Sequence, residues 1–239
     1  MQIIKAENYQ EMSKIASNIV INKIQSIHHP VLGLATGSTP IGLYKKLISE
    51  HRDGTISFKN TVTFNLDEYI GLPAEHANSY RQYMNNQLFQ HIDIPSNQTN
   101  IPNGMAVDFH EECRRYDALI EEAGEIDLQI LGLGNNGHIG FNEPGTPFNQ
   151  STHIVELAPS TIEANARFFD SLDEVPTQAI TMGIETIMRS KEILLLVAGE
   201  EKKDAYRQLL KGKVTEDFPA SVLHNHKNCT VIVDKTILT

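Results

Sequence analysis

The chain has only two cysteines, Cys113 and Cys229, far apart and outside any C-x-x-C spacing. Neither a disulfide framework nor a zinc site is therefore indicated. Positive charge is also short: 20 Lys and Arg stand against 30 Asp and Glu, for a net charge of -10 at pH 7. That balance argues against non-specific binding to nucleic acid or to an anionic membrane surface. It leaves room for an anionic small molecule, because one pocket can be positive on an acidic protein. No apolar run reaches the roughly 20 residues of a transmembrane helix. The opening segment M-Q-I-I-K-A-E-N-Y-Q lacks the apolar core of a signal peptide. Internal repeats and low-complexity tracts are absent too. The expectation is a cytoplasmic protein with no membrane or nucleic-acid partner.

What the chain does contain is a repeated order of short apolar runs followed by helical patterns. With 239 residues and 40% hydrophobic content it can bury one sizeable core. Ile3-Ile4 reads as a short strand, and Glu7 to His28 as an amphipathic helix with Met12, Ile15, Ile19 and Ile27 on one face. Further strands are expected at Val31–Ala35, Thr61–Leu66, Asp127–Leu131, His153–Leu157, Ile193–Val197 and Cys229–Val233. Helices are expected from Pro40 towards Glu50, over Ser79–His91, Asp108–Ala123, Ser160–Phe169 and Thr177–Arg189, and after Gly199. Such alternation predicts an α/β fold: a doubly wound, mostly parallel, Rossmann-like sheet with helices on both faces. Residues 1–239 then form a single catalytic domain, with about 158–188 as a lid-like helical segment.

Three predicted strand ends carry candidate chemistry. After Val31–Ala35 comes T-G-S-T-P, in which Thr39 is placed to cap a helix and Pro40 to begin it. Gly37 would let an anion approach the backbone, and Ser38 and Thr39 add hydroxyl donors, which together describe a phosphate cradle. The alternative is an ordinary capped βα turn. After Thr61–Leu66 come Asp67 and Glu68; these are either a cap and a solvated neighbour, or one of them points into a cleft as a general base. After Asp127–Leu131 comes L-G-L-G-N-N-G-H-I-G-F-N-E-P-G-T-P, which crowds Asn135, Asn136, His138, Asn142 and Glu143 among glycines. Gly132, Gly134 and Gly137 also fit G-x-G-x-x-G, with Glu156 roughly twenty residues on. That fingerprint has to open a helix, and Gly140, Pro144, Gly145 and Pro147 leave no room for one. Parallel strands bring all their C-terminal ends to one edge, so the three segments can converge. Arg167 and Lys202, near helix beginnings in the second half, are basic candidates whose plainer reading is a solvated face.

The segments A-T-G-S-T-P, N-L-D-E-Y, G-N-N-G-H-I-G-F-N-E-P-G-T-P-F, A-N-A-R-F-F-D and G-E-E-K together resemble the glucosamine-6-phosphate deaminases, over essentially the whole chain. The resemblance implies an aldose–ketose isomerisation with loss of ammonia, converting glucosamine 6-phosphate to fructose 6-phosphate. It implies that Asp67 moves the proton from C2 towards C1, that His138 assists ring opening, and that Glu143 belongs to its hydrogen-bonded group. Ser38, Thr39, Arg167 and Lys202 would hold the phosphate beside the Gly37 backbone. No metal or organic cofactor is implied. One departure stands out: many members carry Asp where this chain has Asn136, so Glu143 is expected to supply the charge beside the imidazole. The chain is also short, like forms that lack the tail of larger hexameric members regulated by N-acetylglucosamine 6-phosphate, which suggests a monomer or small homo-oligomer. The related 6-phosphogluconolactonases share the Gly-His element, but their loop continues differently. Preference for the gluco or galacto epimer stays open.

Overall fold

Every residue of Val31–Leu34 (β2) and Ile193–Val197 (β9) is buried, as expected for strands covered on both faces. Their side chains alternate between two cores. Leu194 and Leu196 pack with Met12, Ala16, Leu43, Tyr44 and Leu47 on one face. Ile193, Leu195 and Val197 pack with Tyr116, Ile184, Ile187, Tyr206 and Leu209 on the other. These are features of a computed structural model that describes residues 1–157, 162, 169 and 174–238.

The main sheet adds Gln2–Ala6 (β1), Val62–Asn65 (β3), Thr99–Asn100 (β5), Leu128–Gly132 (β6) and Cys229–Asp234 (β10). Its seven strands run β1-β10-β9-β6-β2-β3-β5, and every pairing is parallel. The covering helices are Tyr9–Ser26 (α1), Ile41–Arg52 (α2), Tyr80–Gln87 (α3), Phe109–Glu122 (α4), Ile184–Met188 (α5) and Lys203–Leu210 (α6). Asn8, Ser79 and Asp108 cap α1, α3 and α4 by accepting backbone N–H bonds. The doubly wound parallel architecture is thus present as expected.

A second sheet was not foreseen. Asp67–Tyr69 (β4), Gln178–Thr181 (β8) and His153–Glu156 (β7) form an antiparallel three-stranded layer in the order β4-β8-β7. The helix expected over Thr177–Arg189 is therefore corrected: its first part is the middle strand of this sheet, and only α5 is helical. Ile180, Ile184 and Ile187 have helical spacing, but Ile180 is buried by cross-strand pairing with Glu68 and Ile154. Within the 158–188 range expected to be a helical lid, 178–181 is strand, while the helix expected at Ser160–Phe169 lies outside the described residues save Ile162 and Phe169.

The α1 stripe is also shifted. Met12, Ala16, Val20 and Ile24 are buried, whereas Ile15 and Ile19 are half-buried and Ile27 has left the helix. Small residues face α2 because the two helices approach closely: a Cβ on Gly42 would lie 2.2 Å from Ser13 Oγ.

Candidate active site

Strand β3 ends at Asn65, and Leu66 bridges the two sheets: its N–H donates to Leu34 O and its carbonyl accepts from Met182 N. This turn delivers two adjacent carboxylates into different surroundings. Glu68 accepts the backbone N–H groups of Tyr69, Tyr80 and Arg81, each at 2.9 Å, and so ties β4 to the start of α3. Asp67 is 6% exposed and accepts no hydrogen bond among the described residues. Burial, and then the charge of Glu68, push its pKa up to about 8. Thr181 on β8 pairs with Asp67, and a Cβ on Gly140 would sit 3.7 Å from Asp67 Oδ2. The loop that carries His138 therefore closes directly over this carboxylate.

That loop leaves β6 without entering a helix. Gly134 N–H donates to His138 O, and Ala220 N–H donates to Gly137 O. Gly137 adopts φ +89, and a Cβ there would lie 2.2 Å from Phe218. Gly134 has a different reason to lack a side chain: the His138 ring rests against it, 2.3 Å from where a Cβ would be. Of the glycines that mimic a dinucleotide fingerprint, Gly134 thus makes space for an imidazole and Gly137 for Phe218. Glu156, the acid of that fingerprint, is engaged across the second sheet by Gln178.

His138, Asn136 and Glu143 form one bonded group. Asn136 Oδ1 lies 2.8 Å from His138 Nδ1, and Asn136 Nδ2 donates to Glu143 Oε2 at 2.5 Å. Glu143 Oε1 is itself 3.5 Å from His138 Nδ1. With an amide oxygen and a carboxylate facing it, Nδ1 is the ring nitrogen that holds a proton, and Nε2 is the one free to exchange it with a ligand. Burial alone would raise the Glu143 carboxyl, but the bond and charge of His138, with the Asn136 amide, outweigh it and hold it below its ordinary value. Asn142, grouped with these residues by sequence, is instead fully buried and donates to Ile139 O and Met182 O. Its part is to shape the loop.

Gly37 has φ +87, and Gly37 and Ser38 are exposed at the end of β2. The expected Thr39 cap is not formed: Pro40 occupies the cap position of α2, and no side chain of α2's own cap residue bonds the helix. Proline's fixed φ suits that first turn, so the chain enters the helix one residue later. Lys202, beyond the C-terminal end of β9, donates to Asn135 Oδ1 at 2.6 Å and thereby joins the histidine loop. Its burial lowers its pKa, against the nearby Glu201 charge. Arg167 lies outside the described residues. The ends of β2, β3, β6 and β9 share one rim because their pairings are parallel.

On one rim the parallel sheet gathers a buried, unbonded carboxylate, an imidazole with its own carboxylate and a glycine-led helix start, a set of groups able to transfer protons on an α/β enzyme fold. The chain belongs to the glucosamine-6-phosphate isomerase/6-phosphogluconolactonase family, which matches residues 5–232. Among its relatives, a glucosamine-6-phosphate deaminase of Oceanobacillus iheyensis is 59% identical over 238 residues, covering 100% of this chain and 95% of that protein. Glucosamine-6-phosphate deaminase 1 of Bacillus subtilis is 51% identical, with 98% and 97% covered. A solved structure of a monomeric glucosamine-6-phosphate deaminase superposes with TM-score 0.97 at 50% identity, covering 100% of this chain and 99% of that one. A 6-phosphogluconolactonase from Trypanosoma cruzi, 22% identical with TM-score 0.79 and 99% and 95% covered, shares the fold.

Proposed function

We propose that this protein is a glucosamine-6-phosphate deaminase, releasing ammonia and fructose 6-phosphate from glucosamine 6-phosphate and water. The observation that carries the reading is Asp67: a carboxylate only 6% exposed, without a hydrogen-bond partner among the described residues, and raised to about 8. Such a group is a strong base poised beside the histidine loop. His138 takes the proton of the anomeric hydroxyl and returns it to the ring oxygen, opening the sugar to its free aldehyde. Glu143, through Asn136 and across 3.5 Å, balances the charge on the imidazole during that transfer. Asp67 then withdraws the C2 proton while the substrate's ammonium group gives up a proton that ends on O1, leaving a neutral enolamine. Return of the Asp67 proton to C1 leaves an iminium at C2, which water hydrolyses to the ketone and ammonia, the latter leaving with the extra proton as ammonium.

Gly37, Ser38, Thr39, Arg167 and Lys202 hold the phosphate in this proposal. Anchoring a group remote from the reacting carbons fixes the sugar in register and lends binding energy to the chemical step. Full-length relatives named as glucosamine-6-phosphate deaminases at 51% and 59% identity support the activity. The monomeric structural neighbour supports a monomer. A substrate whose phosphate prevents free passage through membranes supports a cytoplasmic setting.

The test is ammonia release from glucosamine 6-phosphate by pure protein, with galactosamine 6-phosphate run in parallel. Asp67→Asn should lower turnover by about 10³-fold or more, within the range for a lost general base, while calorimetry still registers sugar-phosphate binding. Undiminished release by that variant would sink the assignment of the base.

A further inference from the structure

The backbone of the 37–39 loop is held largely from outside its own turn, in which the Ile41 N–H reaches Ser38 O at a long 3.4 Å. Each carbonyl in it is occupied. Tyr83 Oη donates to Gly37 O at 2.5 Å, and Tyr9 Oη lies 3.2 Å from Ser38 O and 3.1 Å from Thr39 O. The N–H groups of Gly37, Ser38 and Thr39 have no acceptor among the described residues. Tyr9 Oη also accepts from Gly42 N–H at 2.8 Å, doing for the first turn of α2 what no cap side chain does. The two tyrosines come from different helices, Tyr9 from the first residue of α1 and Tyr83 from the middle of α3. They grip the loop by its acceptors and leave its donors for something else.

A three-residue stretch led by glycine, exposed at Gly37 and Ser38, has many backbone conformations open to it, and ordering it on demand would cost binding energy. A carbonyl turned into the cradle would repel an anion. Hydroxyls fixed on packed helices remove that alternative before the ligand arrives. Burial raises the Tyr83 hydroxyl, so it stays a protonated donor at any ordinary pH.

We propose that Tyr9 and Tyr83 are positioning residues for the substrate phosphate, holding the Gly37, Ser38 and Thr39 carbonyls back so that three N–H donors face the anion. This rests on the phosphate role given to the loop above. It adds two residues that lie outside the T-G-S-T-P segment and act through its backbone.

The experiment compares Tyr9→Phe, Tyr83→Phe and the double variant, each of which keeps the ring and removes only the hydroxyl. Calorimetric titration with inorganic phosphate gives one readout, and KM and kcat for glucosamine 6-phosphate give another. Expected is a weakening of phosphate affinity by about fivefold per hydroxyl, the worth of one ordinary hydrogen bond, with KM rising in step and kcat moving less than about twofold. Unchanged phosphate affinity and KM in the folded variants would overturn the proposal. So would a fall in kcat or melting temperature with phosphate affinity intact, because that is the signature of a merely structural contact. If the double variant does not fold, the single variants, which alter separate helices, decide on the same readouts. Wild-type protein that binds phosphate without releasing ammonia would refute the deaminase reading and leave the tyrosine comparison valid; wild-type protein that does not bind phosphate refutes the tyrosine proposal itself.

Discussion

Asp67 and Glu68 are chemically alike and one residue apart, and the fold gives them opposite work. Glu68 spends its oxygens on three backbone N–H groups, while Asp67 keeps both of its own unbonded among the described residues. A base must be deprotonated to act, so kcat/KM for ammonia release should climb as pH rises, with a midpoint near about 8 on the acid limb. A limb near the ordinary carboxylate value of about 4 would contradict the burial argument. Glu143 offers a second check. Asn136 can orient the imidazole but carries no charge, so Glu143→Gln should lower kcat by about ten- to hundredfold, the worth of one charge-assisted bond, and change the shape of the pH–rate profile. An unaltered profile would show that the charge comes from elsewhere. The Asn136–His138–Glu143 group was legible in sequence because its members lie within one loop. Which of Asp67 and Glu68 is left unbonded was not legible, since the answer depends on where the start of α3 lies.

Elements explain why the loop after β6 is so rich in glycine. Gly137 needs its positive φ and the room taken by Phe218, whereas Gly134 is not among the positive-φ glycines and is small for the sake of the histidine ring. Gly134→Ala therefore isolates position from backbone strain. Its Cβ, 2.3 Å from the ring, must push His138 aside, and kcat/KM should fall by about 100-fold while the melting temperature changes little. Retained activity, measured beside a melting curve, would mean that the ring has slack the packing does not suggest. Strand β8 marks the opposite limit of sequence reading. A short apolar run such as Ala179-Ile180 fits helix or strand equally by periodicity, and only its hydrogen bonds to β4 and β7 decide.

For the molecule as a whole, the raised carboxylate sets a trade between stability and activity. Between pH 4 and about 8 the folded protein holds on Asp67 a proton that the unfolded chain has released. The folded state then binds more protons, so stability falls as pH rises through that window. Asp67→Asn removes this dependence: without ligand, its melting temperature should drop less than the wild type's between pH 5 and pH 8, by at least about 3 °C at the usual conversion for a domain of this size. Parallel slopes for the two proteins would argue that Asp67 titrates as an ordinary carboxylate. By itself the sequence determined the alternation of strands and helices, the parallel sheet and the three segments at its rim, because buried strands and amphipathic helices are written in local hydrophobic pattern. Only the tertiary structure decided the second, antiparallel sheet, the unbonded state of Asp67 and the grip of Tyr9 and Tyr83 on the loop. Those depend on groups far apart in the chain, and burial and hydrogen-bond partners exist only once the layers have packed.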